Sequence, residues 1–179
     1  MALSDAILVC LTERPMSGYD LAKYFDTSIG FFWHATHPQI YRELKKLGQR
    51  GHVVSVEEIQ SGKPNRIVYC VTDAGRQALL EWSRKPVAPA VIKDDLLVRL
   101  QAIEHIDKSA LRQQITARLA AHREQLAQYH HIRDVRFSDG EPEPGDLGKL
   151  MGLELGMEYE NGWINWCKNA LARLEPDGD

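Results

Sequence analysis

The chain has 179 residues, with 22 Lys+Arg against 25 Asp+Glu and 44% hydrophobic residues, enough for one full domain or a small domain with an appendage. No apolar run approaches the roughly 20 residues of a membrane helix. Cys10, Cys70 and Cys167 lack the paired spacing of a disulfide framework or zinc knuckle, so membrane-spanning, disulfide-scaffold and disordered classes are excluded. A reducing cytoplasm is the expected location, and the short apolar start Ala6–Leu11, following Asp5 and without a small-residue cleavage site, is not expected to be a secretory signal. Residues 1–85 carry a net +2 and residues 86–179 a net −5, so any anion-binding surface must be local.

Taken in chain order, Ser4 caps a first helix running to about Glu13, with Asp5 at its positive end. Ser17-Gly18-Tyr19-Asp20 opens a second helix in a capping-box pattern, followed by Leu21, Tyr24 and Phe25 at helical spacing. Thr36-His37-Pro38-Gln39 repeats the signal with a proline in the first turn. The third helix so opened runs to Arg50 and is stopped by Gly51.

His52–Ile59 and Arg66–Thr72 then alternate as paired strands about a turn-rich, basic tip, Gln60-Ser61-Gly62-Lys63-Pro64-Asn65. Thr72 caps a fourth helix, Asp73–Lys85, with Ala74, Ala78, Leu79 and Trp82 on its inner face. Pro86 and Pro89 stop the helix and hold the chain extended. The order is that of a winged helix-turn-helix over residues 1–86, followed by a helical domain over 87–179. The expected class is mainly α with a small β-hairpin.

On a wheel of 100° per residue, Ile40, Leu44 and Leu47 of the third helix form a narrow core stripe. Gln39, Arg42, Lys45, Lys46 and Gln49 occupy the opposite arc, from about 140° to 260°, and Glu43 lies at its edge. Arg and Lys suit guanine edges or phosphates, and Gln can pair with adenine. A solvated helix face is the plain alternative. Its position, after a capped helix and before a basic hairpin tip, favours DNA.

Ser17-Gly18-Tyr19-Asp20-Leu21, Ile40-Tyr41-Arg42-Glu43-Leu44-Lys45-Lys46-Leu47, Gly51 and Tyr69-x-x-Thr72-x-x-Gly75 stand in register over about 60 residues. Together they resemble the PadR family of bacterial transcriptional regulators. The helical second half, opening on Lys93-Asp94-Asp95-Leu96-Leu97, resembles the larger PadR subgroup with an AphA-like, virulence-activator type C-terminal domain. The resemblance implies a homodimer on a palindromic DNA operator, often a repressor of detoxification or efflux genes, sometimes answering to phenolic acids or hydrophobic drugs. It implies that Tyr19 and Tyr41 lie near the DNA backbone, with packing between helices as their alternative. It also implies that Lys63, Asn65 and Arg66 touch minor groove or phosphate at the wing.

In the second half a short helix is expected over 93–104. A long one over 107–136 carries Leu111, Ile115, Leu119, Leu126, Tyr129 and Ile132, interrupted by His122. The last helix, about Asp146 to Leu174, bears a seam of Leu150, Leu153, Met157, Glu160, Ile164, Cys167, Leu171 and Leu174, apolar but for one acid. Leu150, Leu153, Met157, Ile164 and Leu171 are the expected dimerisation residues.

A second stripe includes Leu155, Tyr159, Trp163 and Trp166, and two apolar faces imply two partners. Gly148, Gly152 and Gly156 mark either close approach of a partner helix or a later helix start. Tyr159, Trp163 and Trp166 are candidates for stacking an aromatic effector, with interface core as the alternative. Phe31-Phe32-Trp33 reads as a lid packed on the core or on the dimer partner, or as a ligand box. The seven histidines lack companion ligands at fixed offsets, so neither metal nor cofactor is expected, and no catalytic motif appears. A winged-helix protein-interaction module without DNA binding is the competing reading, supported by the weak basic excess.

Overall fold

The computed structural model describes residues 3–27, 35–59, 65–89, 91–137, 142–143 and 145–174. Lys63 and the Phe31-Phe32-Trp33 segment lie outside the described residues. The chain divides into two compact units, 1–90 and 91–179.

The first unit runs α1 (Leu3–Glu13), β1 (Met16–Ser17), α2 (Gly18–Thr27), α3 (His37–Gln49), β2 (Val53–Glu58), β3 (Arg66–Val71) and α4 (Asp73–Ser83). Its core is Ile7, Leu8, Cys10, Leu11, Met16, Leu21, Ala22, Phe25, Ile40, Leu44, Leu47 and Val53, all nearly inaccessible. The α3 stripe read from the wheel is thus its buried face, and truncating any of its three residues to Ala is expected to cost about 2–5 kcal/mol.

Each end of α3 has a defined stop. At the start, the Gln39 side-chain oxygen accepts the Thr36 N–H at 2.8 Å, as the box requires. At the end, Gly51 takes φ 72°, where a side chain is strained. That turn lets the His52 N–H reach the Leu47 carbonyl at 2.9 Å and the Gly51 N–H reach Gly48 at 3.0 Å, a Schellman closure.

The expected hairpin is part of a larger sheet. Its three antiparallel strands lie in the order β1-β3-β2, with Met16 opposite Tyr69 and Ser17 opposite Val68. Two residues carry no alternation to read, so β1 is visible only through its distant partner.

The inner face of α4 also departs from expectation, for Ala74 is exposed and Gly75 is buried. A Cβ on Gly75 would come within 2.2 Å of the His52 carbonyl oxygen. The helix therefore meets the chain through its glycine. Thr72 caps it, accepting from Gly75 N–H at 3.1 Å and donating to the Gly51 carbonyl at 2.6 Å.

The second unit comprises α5 (Asp95–Gln101), a 3-10 turn (Ile103–His105), α6 (Lys108–Arg136) and α7 (Leu147–Arg173). Asp94 caps α5 through the Leu96 N–H at 2.9 Å, and Asp107 caps α6 through Ser109 and Ala110 at 2.8 and 3.1 Å. Leu96, Leu111, Ile115, Leu119, Ile164 and Cys167 form the core, with Tyr129, Leu153 and Met157 also buried.

Three of the five expected dimerisation residues are buried inside this unit. Leu153, Met157 and Ile164 are 6–8% exposed, while Leu150 and Leu171 are half-buried. Because α7 packs along α6 of its own chain, the exposed apolar residues of α7 are Leu147, Met151, Leu155 and Tyr159. The helix starts at Leu147, so Gly148, Gly152 and Gly156 are helical and the later start is excluded. Gly148 has nothing within 4 Å of a Cβ position, whereas Gly156 is buried.

Candidate nucleic-acid interface and effector cleft

Gln39, Tyr41, Arg42, Lys45, Lys46 and Gln49 are all exposed on α3, all but Tyr41 on the arc opposite its buried stripe. Among the described residues Arg42 and Lys45 have no ion-pair partner. Lys46 pairs with Glu43, Nζ to Oε2 at 2.9 Å. Gln39 is partly committed to the Thr36 box, which leaves its NH2 group as donor.

Tyr41 packs against α2 and stays partly exposed. Its ring lies across Gly18, where a Cβ would come 2.4 Å from Cε1, yet it remains 47% exposed. Packing therefore holds the phenol at the junction of α2 and α3 without hiding it. Tyr19 is 64% exposed on α2.

The described wing residues are engaged with carboxylates. Asn65 Nδ2 donates to Glu57 Oε1 at 3.1 Å. Arg66 Nε donates to Glu58 Oε2 at 2.5 Å, and its Nη1 to Asp20 Oδ2 at 3.2 Å. Glu58 first, and Asp20 after it, hold the Arg66 guanidinium further above its ordinary value. The pairing with Asp20 is not visible in the sequence, since 46 residues separate it from Arg66.

In the second unit the structure brings Tyr159, Trp163 and Trp166 together. With Ile92, Leu97, Glu158 and Gly162 they line an open cleft of about 350 Å³. Trp166 meets Trp163 edge-on at 5.5 Å and 79°. His122 stacks on Trp163 at 5.2 Å, nearly parallel, and the Arg118 guanidinium lies 4.9 Å from the same ring, a cation–π contact. Asp94 grips Arg118 through both carboxylate oxygens. That bond, ahead of the backbone bond from Leu96, holds the Asp94 carboxyl below the usual range. One residue thus caps α5 and anchors the cation on Trp163. Sequence periodicity gave no sign of Arg118, Asp94, Ile92 or Leu97 in this role.

Among the described residues no helix is long and apolar enough to cross a membrane, and no group of three or more His, Cys, Asp or Glu is placed to hold a metal.

The PadR-like transcriptional regulator family model matches residues 7–81, and the virulence activator α C-terminal model matches residues 92–175. A probable transcriptional regulator of Mycobacterium tuberculosis is 36% identical, over 98% of each chain. The negative transcriptional regulator PadR of Bacillus subtilis is 30% identical, also over 98% of each. Its crystal structure with operator DNA matches at TM-score 0.86 and 29% identity, covering 98% of this chain and 100% of that one. Its structure with p-coumaric acid matches at 0.80 and 28%, with the same coverage. The virulence activator AphA of Vibrio cholerae matches at 0.81 and 32%, covering 97% of this chain and 98% of that one. From the helix-turn-helix with its three-stranded wing to the long helices of the second unit, this chain belongs to the PadR-like family of transcriptional regulators.

Proposed function

We propose that the chain is a homodimeric, sequence-specific repressor that binds a palindromic DNA operator. Residues 1–86 bind the DNA and residues 87–179 dimerise. The observation that carries this is the outward arc of α3. It is fixed at both ends by caps, and it exposes Arg42 and Lys45 without ion-pair partners among the described residues. Arg42, Lys45 and Gln49 read base edges, Lys46 and Gln39 support them, and Tyr19, Tyr41 and Lys63 contact phosphates. A two-fold dimer presents two such helices to successive major grooves. The negative regulation named for the Bacillus relative, and its complex with operator DNA, support the sign and the partner.

An aromatic effector fits the Tyr159–Trp163–Trp166 cleft, whose lining is apolar apart from Glu158. The p-coumaric acid complex of the Bacillus relative supports an aromatic ligand class. Such a ligand releases DNA only through a difference in affinity between two arrangements of the dimer.

The test is binding of the full chain to duplex DNA from upstream of its own gene, across a salt series. Phosphate contacts make affinity fall steeply with salt. Arg42→Ala is expected to cost about 1–3 kcal/mol and relax preference at one base pair. Lys63→Ala is expected to weaken all duplexes alike and reduce the salt slope by about one per site. If neither substitution changes affinity and salt has no effect, the protein-interaction module becomes the better reading.

A further inference from the structure

We propose that Arg66 and Asp20 form a clamp that sets the wing against the helix-turn-helix, acting on operator binding as positioning residues and not as nucleic-acid contacts. The proposal rests on the DNA-binding reading above.

The guanidinium is a planar fork with fixed donor directions. One donor reaches Glu58 of β2 at 2.5 Å, and another reaches Asp20 of α2 at 3.2 Å. Asp20 is itself oriented: its carboxylate accepts the Ser17 hydroxyl at 2.8 Å, and its N–H donates to that hydroxyl at 3.1 Å. A continuous chain of contacts therefore runs from the start of α2 through β3 to β2.

Its place in the sheet gives the chain leverage. The pairing of β1 with β3 covers only Tyr69 and Val68. Arg66 lies two residues nearer the tip, about 7 Å further out at strand rise. Beyond Val68 the wing pairs only as β2 with β3. The Arg66–Asp20 bond thus ties the wing to α2 beyond the last β1 pair.

Charge argues against phosphate at the same point. A single guanidinium faces two carboxylates, so the cluster of Asp20, Glu58 and Arg66 is net negative. A phosphate arriving there would be repelled by the very groups that orient Arg66. Exposed ion pairs add little to global stability, and these side chains are 40–46% exposed. The expected consequence is geometric.

The two roles predict opposite signs for one substitution. Asp20→Asn removes a negative charge beside a polyanion, so a phosphate-contacting Arg66 would be set free and binding would tighten. Under the clamp, full-length Asp20→Asn binds the operator duplex about two- to fivefold more weakly. In an Arg66→Gln background it causes no further loss. Amide exchange within 56–58 and 66–68 speeds up in both single variants. Tighter binding by Asp20→Asn overturns the clamp. So does an equal loss in both backgrounds, which would mean that Asp20 acts only as a helix cap. If the wild-type chain shows no salt-dependent duplex binding, the DNA-binding reading fails, and unchanged exchange in Asp20→Asn then overturns the clamp separately.

Discussion

The imidazole Nδ1 of His122 on α6 meets the carboxylate of Glu160 on α7, and each fills the gap that the other makes in an apolar stripe. Glu160 is 6% exposed. Removing His122 would leave Glu160 buried without a partner, and removing Glu160 would strand the part-buried imidazole, either of which costs more than the pair contributes. Glu160→Ala is expected to destabilise the second unit by about 3 kcal/mol or more. Glu160→Gln keeps a hydrogen-bonding oxygen and should cost less. The double change His122→Leu with Glu160→Leu should cost less than the two single leucine changes added together. Urea unfolding of the five variants checks the order, and strict additivity would refute the coupling.

The same pair shows what was legible in the sequence and what was not. Each helix read alone has one defect, and only their packing turns two defects into a contact. Caps were legible, because Thr36-x-x-Gln39 and Gly51 act within a few residues of themselves. The wheel likewise separated Ile40, Leu44 and Leu47 from the cationic arc of α3. Partnership across distance was not legible. β1 is defined by strand β3, some 50 residues on. Arg66 is oriented by Asp20, and Leu153, Met157 and Ile164 of the α7 seam are buried within their own unit. A local pattern reports that a face is buried, never what buries it.

Gly75 and Gly48 give opposite expectations for the same substitution. At Gly75 a Cβ would meet the His52 carbonyl oxygen at 2.2 Å and Val71 Cγ2 at 2.8 Å. Backbone cannot step aside as a side-chain end can, so Gly75→Ala should cost about 2 kcal/mol or more. At Gly48, on α3, nothing lies within 4 Å, and Ala should stabilise by about 0.5–1 kcal/mol. Thermal unfolding of the two variants decides. Equal effects would mean that helix propensity alone governs both sites.

The three thiols should separate by reactivity. Burial, then the nearby Glu13 charge, pushes the Cys10 thiol up to about 12, and burial also raises that of Cys167. Both side chains are fully enclosed, whereas Cys70 is half-buried on β3. Thiolate is the reactive form, so a disulfide reagent at pH 8 should label one thiol quickly in the native protein and three after denaturation. Peptide mapping should place the fast label on Cys70. A fast label on Cys10 would contradict the packing of α1.

Acid should loosen the second unit through Asp94. Its carboxyl is held below the ordinary range, chiefly by Arg118. A depressed carboxylate contributes in full above its unfolded value of about 3.9, and the contribution fades as pH falls through the folded value. The stability gap between wild type and Asp94→Asn should therefore be widest above pH 4 and close below it. Because Arg118 lies on Trp163, tryptophan emission should shift over the same range in wild type only. A gap independent of pH would mean that Asp94 acts solely as the α5 cap.

Leu153 and Leu155 stand two residues apart on α7 and should fail in different ways. Leu153 is 6% exposed and Leu155 is 70% exposed. An aspartate at 153 must be buried without a partner in its own unit, which is expected to cost about 3 kcal/mol or more and to lower helicity and melting temperature together. An aspartate at 155 meets solvent in the monomer, so folding should change by no more than about 0.5 kcal/mol. If the exposed line Leu147, Met151, Leu155 and Tyr159 is the dimer face, two-fold symmetry places the new charge in the interface twice. The dimer should then dissociate at least about tenfold more readily, a loss of about 1.4 kcal/mol. Sedimentation at micromolar concentration, paired with circular dichroism, reads both quantities. A folded Leu155→Asp chain that remains a tight dimer would exclude this line and move the interface to another face of the second unit.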